Sequence, residues 1–187
     1  MTKGRLFVIS GASGVGKSTV LAQVMNGRDD LRFSVSATTR KPRPGEIDGV
    51  NYYFVTKEQF EQMIAEDAFI EYDAHMDNYY GTPKAELEQK LETGSIILDI
   101  EPNGALNVKK LREDAVLIFI APPSLEELER RLRSRGDTSE EQIGLRLDRV
   151  QWEVAQSKQY DYVVINDQVE TCVNEILNII NEKLEEN

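Results

Sequence analysis

The run Leu6-Phe7-Val8-Ile9-Ser10-Gly11-Ala12-Ser13-Gly14-Val15-Gly16-Lys17-Ser18 decides the fold. Its first half is short and continuously apolar, the pattern of a strand buried on both faces of a parallel sheet. Its second half, Gly11 to Ser18, is G-x-x-x-x-G-K-[ST]. Ser18 to Asn26 then reads as a helix, with Gly27 as its stop. Strand, glycine-rich turn and helix start together aim backbone N–H groups and a positive helix end at an anion. In such a cradle Gly11, Ala12, Ser13, Gly14, Val15 and Gly16 follow a tight path that glycine permits. Lys17 reaches the β- and γ-phosphates of a nucleoside triphosphate, and the Ser18 hydroxyl is placed to ligate Mg²⁺. A nucleoside triphosphate and Mg²⁺ are therefore the expected ligands, and the motif alone does not name the reaction.

Working outward, Ser95 to Leu98, Val116 to Ile120 and Tyr162 to Ile165 repeat the continuous apolar pattern. Helical segments lie between them. Thr56-Lys57-Glu58-Gln59 is a capping box, with Phe60, Met63 and Ile64 behind it. Thr82-Pro83 is expected to open a helix carrying Leu87 and Leu91, with Pro at the first helical position. Ser124-Leu125-Glu126-Glu127 is a second capping box. A long helix is expected from near Ser139 past Trp152, with Trp152 in the core, and a last one carries Val173, Ile176, Leu177, Ile180 and Leu184. Alternating strands and helices predict an α/β fold, a P-loop NTPase with a mostly parallel sheet.

Two segments depart from that alternation. Residues 34–82 are polar, aromatic and turn-rich, and read as a small antiparallel insert plus one helix. Residues 125–155 are charged and nearly all helical. Both read as mobile lobes on one core rather than as separate domains.

Net charge is −11 over 187 residues. An acidic surface disfavours polyanionic partners, nucleic acid and anionic membrane, but leaves room for a local basic pocket. One cysteine, Cys172, cannot form an internal disulfide and is expected to be a buried helix residue in a reducing compartment. His75, the one histidine, is expected in a loop or at a strand edge. With no apolar stretch long enough for a signal core or a membrane span, a cytoplasmic location is expected.

Arg40 and Arg43 stand in a loop stiffened by Pro42 and Pro44. Two guanidinium forks at this spacing can grip one phosphate, and Ser36 and Tyr52 supply neutral donors. A further arginine cluster comprises Arg130, Arg131, Arg133, Arg135, Arg146 and Arg149. Arg130 and Arg133 read best as a solvated face paired with Glu126, Glu127 and Glu129.

Taken together, these motifs make the chain resemble the guanylate kinase family. The resemblance rests on the P-loop and on Ser36-x-Thr38-Thr39-Arg40-x-Pro42-Arg43-x-Gly45-Glu46. It continues through Phe69-Ile70-Glu71, Asn78-Tyr79-Tyr80-Gly81-Thr82, Ile97-Leu98-Asp99-Ile100-Glu101, Arg135-Gly136 and the run Tyr160 to Asp167. It covers nearly the whole chain. It implies ATP-dependent phosphorylation of GMP, and of dGMP, to the diphosphate. By this resemblance Ser36, Arg40, Arg43, Tyr52 and Tyr80 hold the GMP phosphate. Glu71 and Thr82 read the guanine, with a carboxylate from Asp99 or Glu101 nearby. Lys17, Arg40, Arg135 and Arg146 carry catalysis. Arg135 and Arg146 close over the ATP phosphates, with Arg131 as a candidate third, and Asn166 stands where the family contacts adenine. The implied division is a core of 1–33, 83–124 and 156–187, a GMP-binding lobe of 34–82 and a lid of 125–155.

The carboxylate assignment agrees with the physics of the base. Guanine presents N1–H and an amino group as donors, and an ionised carboxylate only accepts. The chain departs from the family at Glu101-Pro102-Asn103-Gly104, where Asp, a bulky residue and Gln-Gly are more usual, and at Gly136-Asp137-Thr138. A guanine-reading Asn-Lys-x-Asp motif of P-loop GTPases is absent. A non-catalytic scaffold module would lack the P-loop lysine or lid arginines, and both are present.

Overall fold

The computed structural model describes residues 4–75, 77–134 and 140–186. In chain order the first elements are β1 (Leu6–Gly11), α1 (Lys17–Val24), β2 (Leu31–Phe33), β3 (Ala37–Thr38), β4 (Tyr53–Phe54), α2 (Lys57–Ala65), β5 (Phe69–His75) and β6 (Asn78–Pro83). There follow α3 (Lys84–Leu91), β7 (Ser95–Asp99), α4 (Pro102–Leu111), β8 (Val116–Ala121), α5 (Leu125–Ser134), α6 (Glu140–Gln156), a 3₁₀ turn at Ser157–Gln159, β9 (Tyr162–Ile165) and α7 (Val169–Glu185).

The core is a five-stranded sheet in the order β2-β7-β1-β8-β9, parallel at every pairing. All six residues of β1 and all six of β8 are buried, which explains why neither alternates polar with apolar. Helices cover the sheet: α1 packs on α7, α3 on β7 and α4 on β1. Each buried Leu, Ile or Phe contributes roughly 1.5–3 kcal/mol by leaving water, and the cluster runs from Leu6 through Ile180. Cys172 lies within it, where burial pushes its thiol up to about 11.

A second, four-stranded sheet has the order β4-β3-β6-β5. Pairings β3–β6 and β5–β6 are antiparallel, as expected, but β3–β4 is parallel. The chain between β3 and β4 crosses back through the loop of residues 39–52 rather than turning as a hairpin. One face of this sheet carries an aromatic stack. Phe60 from α2 lies against Phe69 and Tyr79 with ring centroids at 4.4 and 5.3 Å. A register shift between Phe69 and Glu71 lets Phe69 and Tyr72 share that face while Glu71 points to the other. The capping box at Thr56 forms in both directions and fixes where α2 begins.

Several expectations need correction. Pro83 is not the first helical residue. It ends β6 and caps α3 in an extended conformation, with φ −65° and ψ 126°. Trp152 is 44% exposed rather than in the core. Helix α6 packs inward through Val150 and Glu153, with Leu147 and Val154 partly buried beside them, and Trp152 stands about 200° around the helix from Val150. β2 and α4 were not expected from the sequence, although α4 has proline in its first turn and Lys109 and Lys110 in its last, both favourable. His75 ends β5 as expected. Among the described residues no helix is long and apolar enough to cross a membrane.

Gly81 on β6 lets the aromatic stack approach the strand. A Cβ there would meet Phe69 Cδ1 at 2.9 Å and Phe60 Cζ at 3.0 Å. The substitution Gly81→Ala is expected to lower unfolding stability by about 1–3 kcal/mol, the usual cost of overpacking, measured as a shift in the urea midpoint at constant m-value.

Candidate active site

The glycine-rich loop joins the carboxyl end of β1 to α1. Ala12 N–H donates to the Ile120 carbonyl on β8 at 3.2 Å, and Val15 N–H closes a turn on the Ala12 carbonyl at 3.0 Å. Gly14 and Gly16 have φ of 83° and 95°, a left-handed path that a side chain would strain. Helix α1 starts from Gly16 with no side-chain cap, so no side-chain oxygen at the N-cap competes with an anion for the N–H groups of its first turn.

Two residues distant in sequence brace this loop. Asn166, just after β9, donates from Nδ2 to the Val15 carbonyl at 2.7 Å, and its own N–H reaches the Ala121 carbonyl at 2.8 Å. Glu153 of α6, 0% exposed, accepts from Ser13 N–H at 2.7 Å and from Arg149 Nε at 2.8 Å. Burial pushes the Glu153 carboxyl above its ordinary range, and those two donors oppose the shift. Arg149 extends the chain to Glu101 at 3.1 Å.

Beside the loop opens a cleft of about 320 Å³. Lys17 and Ser18 stand on one side, with Asp99 at the end of β7 and Ile100 and Glu101 just after it. Lys17 Nζ pairs with Asp99 at 2.5 Å and approaches the Ile100 carbonyl at 3.4 Å. Ser36, Tyr52, Glu71, Asp73 and Tyr80 form the opposite wall. The antiparallel register explains that wall: Glu71 pairs with Thr82 and Asp73 with Tyr80, so residues two apart on each strand share one face. Glu71 is 8% exposed and Thr82 is fully buried behind it. The Thr82 hydroxyl donates to Glu71 Oε1 at 2.6 Å. Desolvation pushes the Glu71 carboxyl up, and the Thr82 hydrogen bond opposes it.

Arg40 adjoins this wall. Its guanidinium lies over the Tyr52 ring at 5.4 Å and the Phe54 ring at 5.8 Å, and Tyr52 meets Tyr80 edge-on at 6.1 Å. Glu46 holds it with both oxygens, at 2.8 and 3.0 Å, and also accepts from Arg43 N–H at 2.6 Å. The Arg40 guanidinium in turn holds the Glu46 carboxyl down to about 2. The Arg43 side chain is exposed on the loop and does not line the cleft. The site thus offers a phosphate cradle and a wall of hydroxyls and carboxylates facing one space.

Comparison with known proteins places this geometry. The sequence model of guanylate kinase matches residues 3–183. The chain belongs to the guanylate kinase family. It is 51% identical over 179 residues to the guanylate kinase of Thermus thermophilus, covering 95% of this chain and 81% of that protein. Identity to the guanylate kinase of Clostridioides difficile is 47%, covering 95% and 87%. The crystal structure of guanylate kinase from Anaplasma phagocytophilum superimposes with a TM-score of 0.76 at 34% identity, covering 97% of this chain and 87% of that one. The chain is accordingly a nucleoside monophosphate kinase, and its activity is phosphorylation of GMP to GDP with ATP.

In the helical segment, Arg130 pairs with Glu127 at 2.7 Å and Arg133 with Glu129 at 2.6 Å, the solvated face expected of them. Arg135 lies outside the described residues, as do the side chains of Arg131 and Arg146. Asp73, Glu153 and Gly104 were not among the expected site residues. Asp73 was legible, being two residues from Glu71 on the same strand face. Glu153 looks like any acid on a charged helix, and only the packing of α6 reveals it. Gly104 lines the cleft from the first turn of α4, which the sequence did not announce.

A carboxyl whose pKa is raised on folding binds more protons folded than unfolded, so its cost to stability is full above the folded pKa, shrinks as the pH falls below it and is gone below the unfolded pKa. Glu71→Gln keeps an acceptor for Thr82 and removes the buried charge. Its melting temperature is expected to exceed the parent's at pH 7–8, with the difference closing as the pH is lowered toward the ordinary carboxylate value of 4.5, measured by thermal unfolding across that range.

Proposed function

We propose that the transfer from ATP to GMP is divided across the cleft, with the donor phosphates on the P-loop side and the acceptor on the wall of the second sheet. The observation that carries this is the shared space: Lys17 and Ser18 face Ser36, Tyr52, Glu71 and Tyr80 across one cleft. On this reading the loop Gly11 to Ser18 holds the ATP phosphates, and Lys17 exchanges its Asp99 partner for them. Ser36, Tyr52, Tyr80 and Arg40 hold the GMP phosphate, with Arg43 closing on it from the loop. Glu71 and Thr82 read the base, with Asp99 or Glu101 as the second carboxylate. Arg131, Arg135 and Arg146 serve the transferred phosphoryl group from the lid of 125–155, and Asn166 stands at the adenine end while bracing the loop. Residues 34–82 act as the acceptor lobe, and 1–33, 83–124 and 156–187 as the core.

The donor set suits Mg²⁺. That ion takes oxygen ligands, keeps several waters and is held by one or two protein groups plus substrate phosphates. Ser18 is exposed on the cleft at the first turn of α1, and the described residues hold no cluster of three or more His, Cys, Asp or Glu side chains that would cage a metal. Bound there, Mg²⁺ would neutralise charge on the β- and γ-phosphates.

Phosphoryl transfer needs in-line placement and charge neutralisation more than covalent help. A GMP phosphate oxygen attacks the γ-phosphorus, the bond to the β,γ-bridging oxygen breaks, and ADP leaves. Lys17 and the arginines stabilise the charge carried by the transferred group. The carboxylate of Glu71 rejects adenine, whose N1 is an acceptor and would leave that carboxylate unpaired. The proposed contacts go to phosphate and base, so dGMP is accepted as well. We place the reaction in the cytoplasm, where both nucleotides circulate.

ADP release, followed by a coupled assay with ATP and Mg²⁺, is expected to be strong with GMP and dGMP and weak with AMP, UMP and CMP. Lys17→Ala is expected to lower kcat by about 10²-fold or more, the usual cost of losing one charge-stabilising group. Turnover of AMP comparable with that of GMP would overturn the role given to Glu71.

A further inference from the structure

We propose that Gly104 is a positioning residue for base selection: by lacking a side chain it seats the Glu71 carboxylate in the geometry that discriminates the acceptor. This rests on the assignment of Glu71 to the guanine base made above.

Glu71 is fixed from two sides. Thr82 holds Oε1 at 2.6 Å. Oε2 lies against α4, where a Cβ built on Gly104 would come to 2.6 Å from it and 3.3 Å from the carboxyl carbon. No other atom is so close, since Ile100 Cδ1 is at an ordinary 3.4 Å. Gly104 has no left-handed φ that would require glycine, so the requirement is one of space alone. Gly104 also sits in the first turn of α4, whose positive end favours the carboxylate that this approach brings against it.

An alanine there could be absorbed only by the Glu71 side chain, which is its nearest neighbour. Glu71 could move only by giving up Thr82 or by turning into the cleft. The helix itself would gain, because alanine is the better helix former. A defect in Gly104→Ala would therefore appear in the site rather than in the fold.

The experiment is steady-state kinetics on Gly104→Ala, Glu71→Asp, the double variant and Glu71→Gln, with GMP, AMP and ATP varied in turn. Gly104→Ala is expected to raise KM for GMP about tenfold to a hundredfold, the scale of a misplaced contact. KM for ATP should stay unchanged and the preference for GMP over AMP should shrink. Shortening the carboxylate should relieve the clash, so the double variant should lose less than the product of the two single losses. Losses that simply multiply would overturn the proposal. So would a Gly104→Ala enzyme with the parent's KM for GMP while Glu71→Gln is impaired, which leaves the base reading standing. An unimpaired Glu71→Gln would remove that reading and this inference with it. Should Gly104→Ala alone fail to fold, folding of the double variant would support a clash with Glu71, and failure of both would overturn it.

Discussion

The parallel register of β1 between β7 and β8 is the constraint on which the rest of the structure depends. It sets Ile9 beside Asp99 and Gly11 beside Ile120. Because the strands run the same way, everything that follows β1, β7, β8 and β9 emerges at one edge of the sheet, the edge where open α/β sheets bind ligands. The P-loop, the Asp99 to Glu101 segment and Asn166 are neighbours for that reason. Ala12 N–H on the Ile120 carbonyl and Ser10 Oγ on the Ile100 carbonyl tie the loop and its neighbour to that register.

The loop is nevertheless not held by its own strand and helix alone. Two bonds from elsewhere complete it, Asn166 on the Val15 carbonyl and Glu153 on the Ser13 N–H. Glu153 is a fully buried carboxylate, which is tolerable only because it accepts from an amide and an arginine. Through Arg149 it also reaches Glu101 on the cleft. The glycine-rich loop, the long helix α6 and the segment after β7 are thereby joined by one run of charge-assisted hydrogen bonds. Glu71 is a comparable case on the other wall. Its burial is costly, and the Thr82 hydroxyl offsets part of that cost.

The second sheet works by dividing its two faces. One carries Phe60, Phe69, Tyr72 and Tyr79 packed together, and the other carries Glu71, Asp73, Tyr80 and Thr82. The irregularity between Phe69 and Glu71 permits this, since strict alternation would have put both on the same face. Arg40 joins the functional face through its stack on Tyr52 and its fork to Glu46.

By itself the sequence determined the local elements. The P-loop, the four continuously apolar core strands, the capping box at Thr56 and the burial of Cys172 follow from patterns within a few residues, which act through backbone geometry and hydrophobic periodicity. Most of the cleft wall could be named from motifs, and Asp73 could have been found from the two-residue period. Tertiary structure alone decided what depends on long-range approach. The parallel pairing of β3 with β4, the exposed place of Trp152, the grip of Glu153 on Ser13 and the contact of Glu71 with Gly104 each join residues far apart in the chain. An acid on a charged helix, or a glycine in a helix's first turn, looks the same in sequence whether it faces water or a carboxylate. Only the packing of one element against another gives such residues their work.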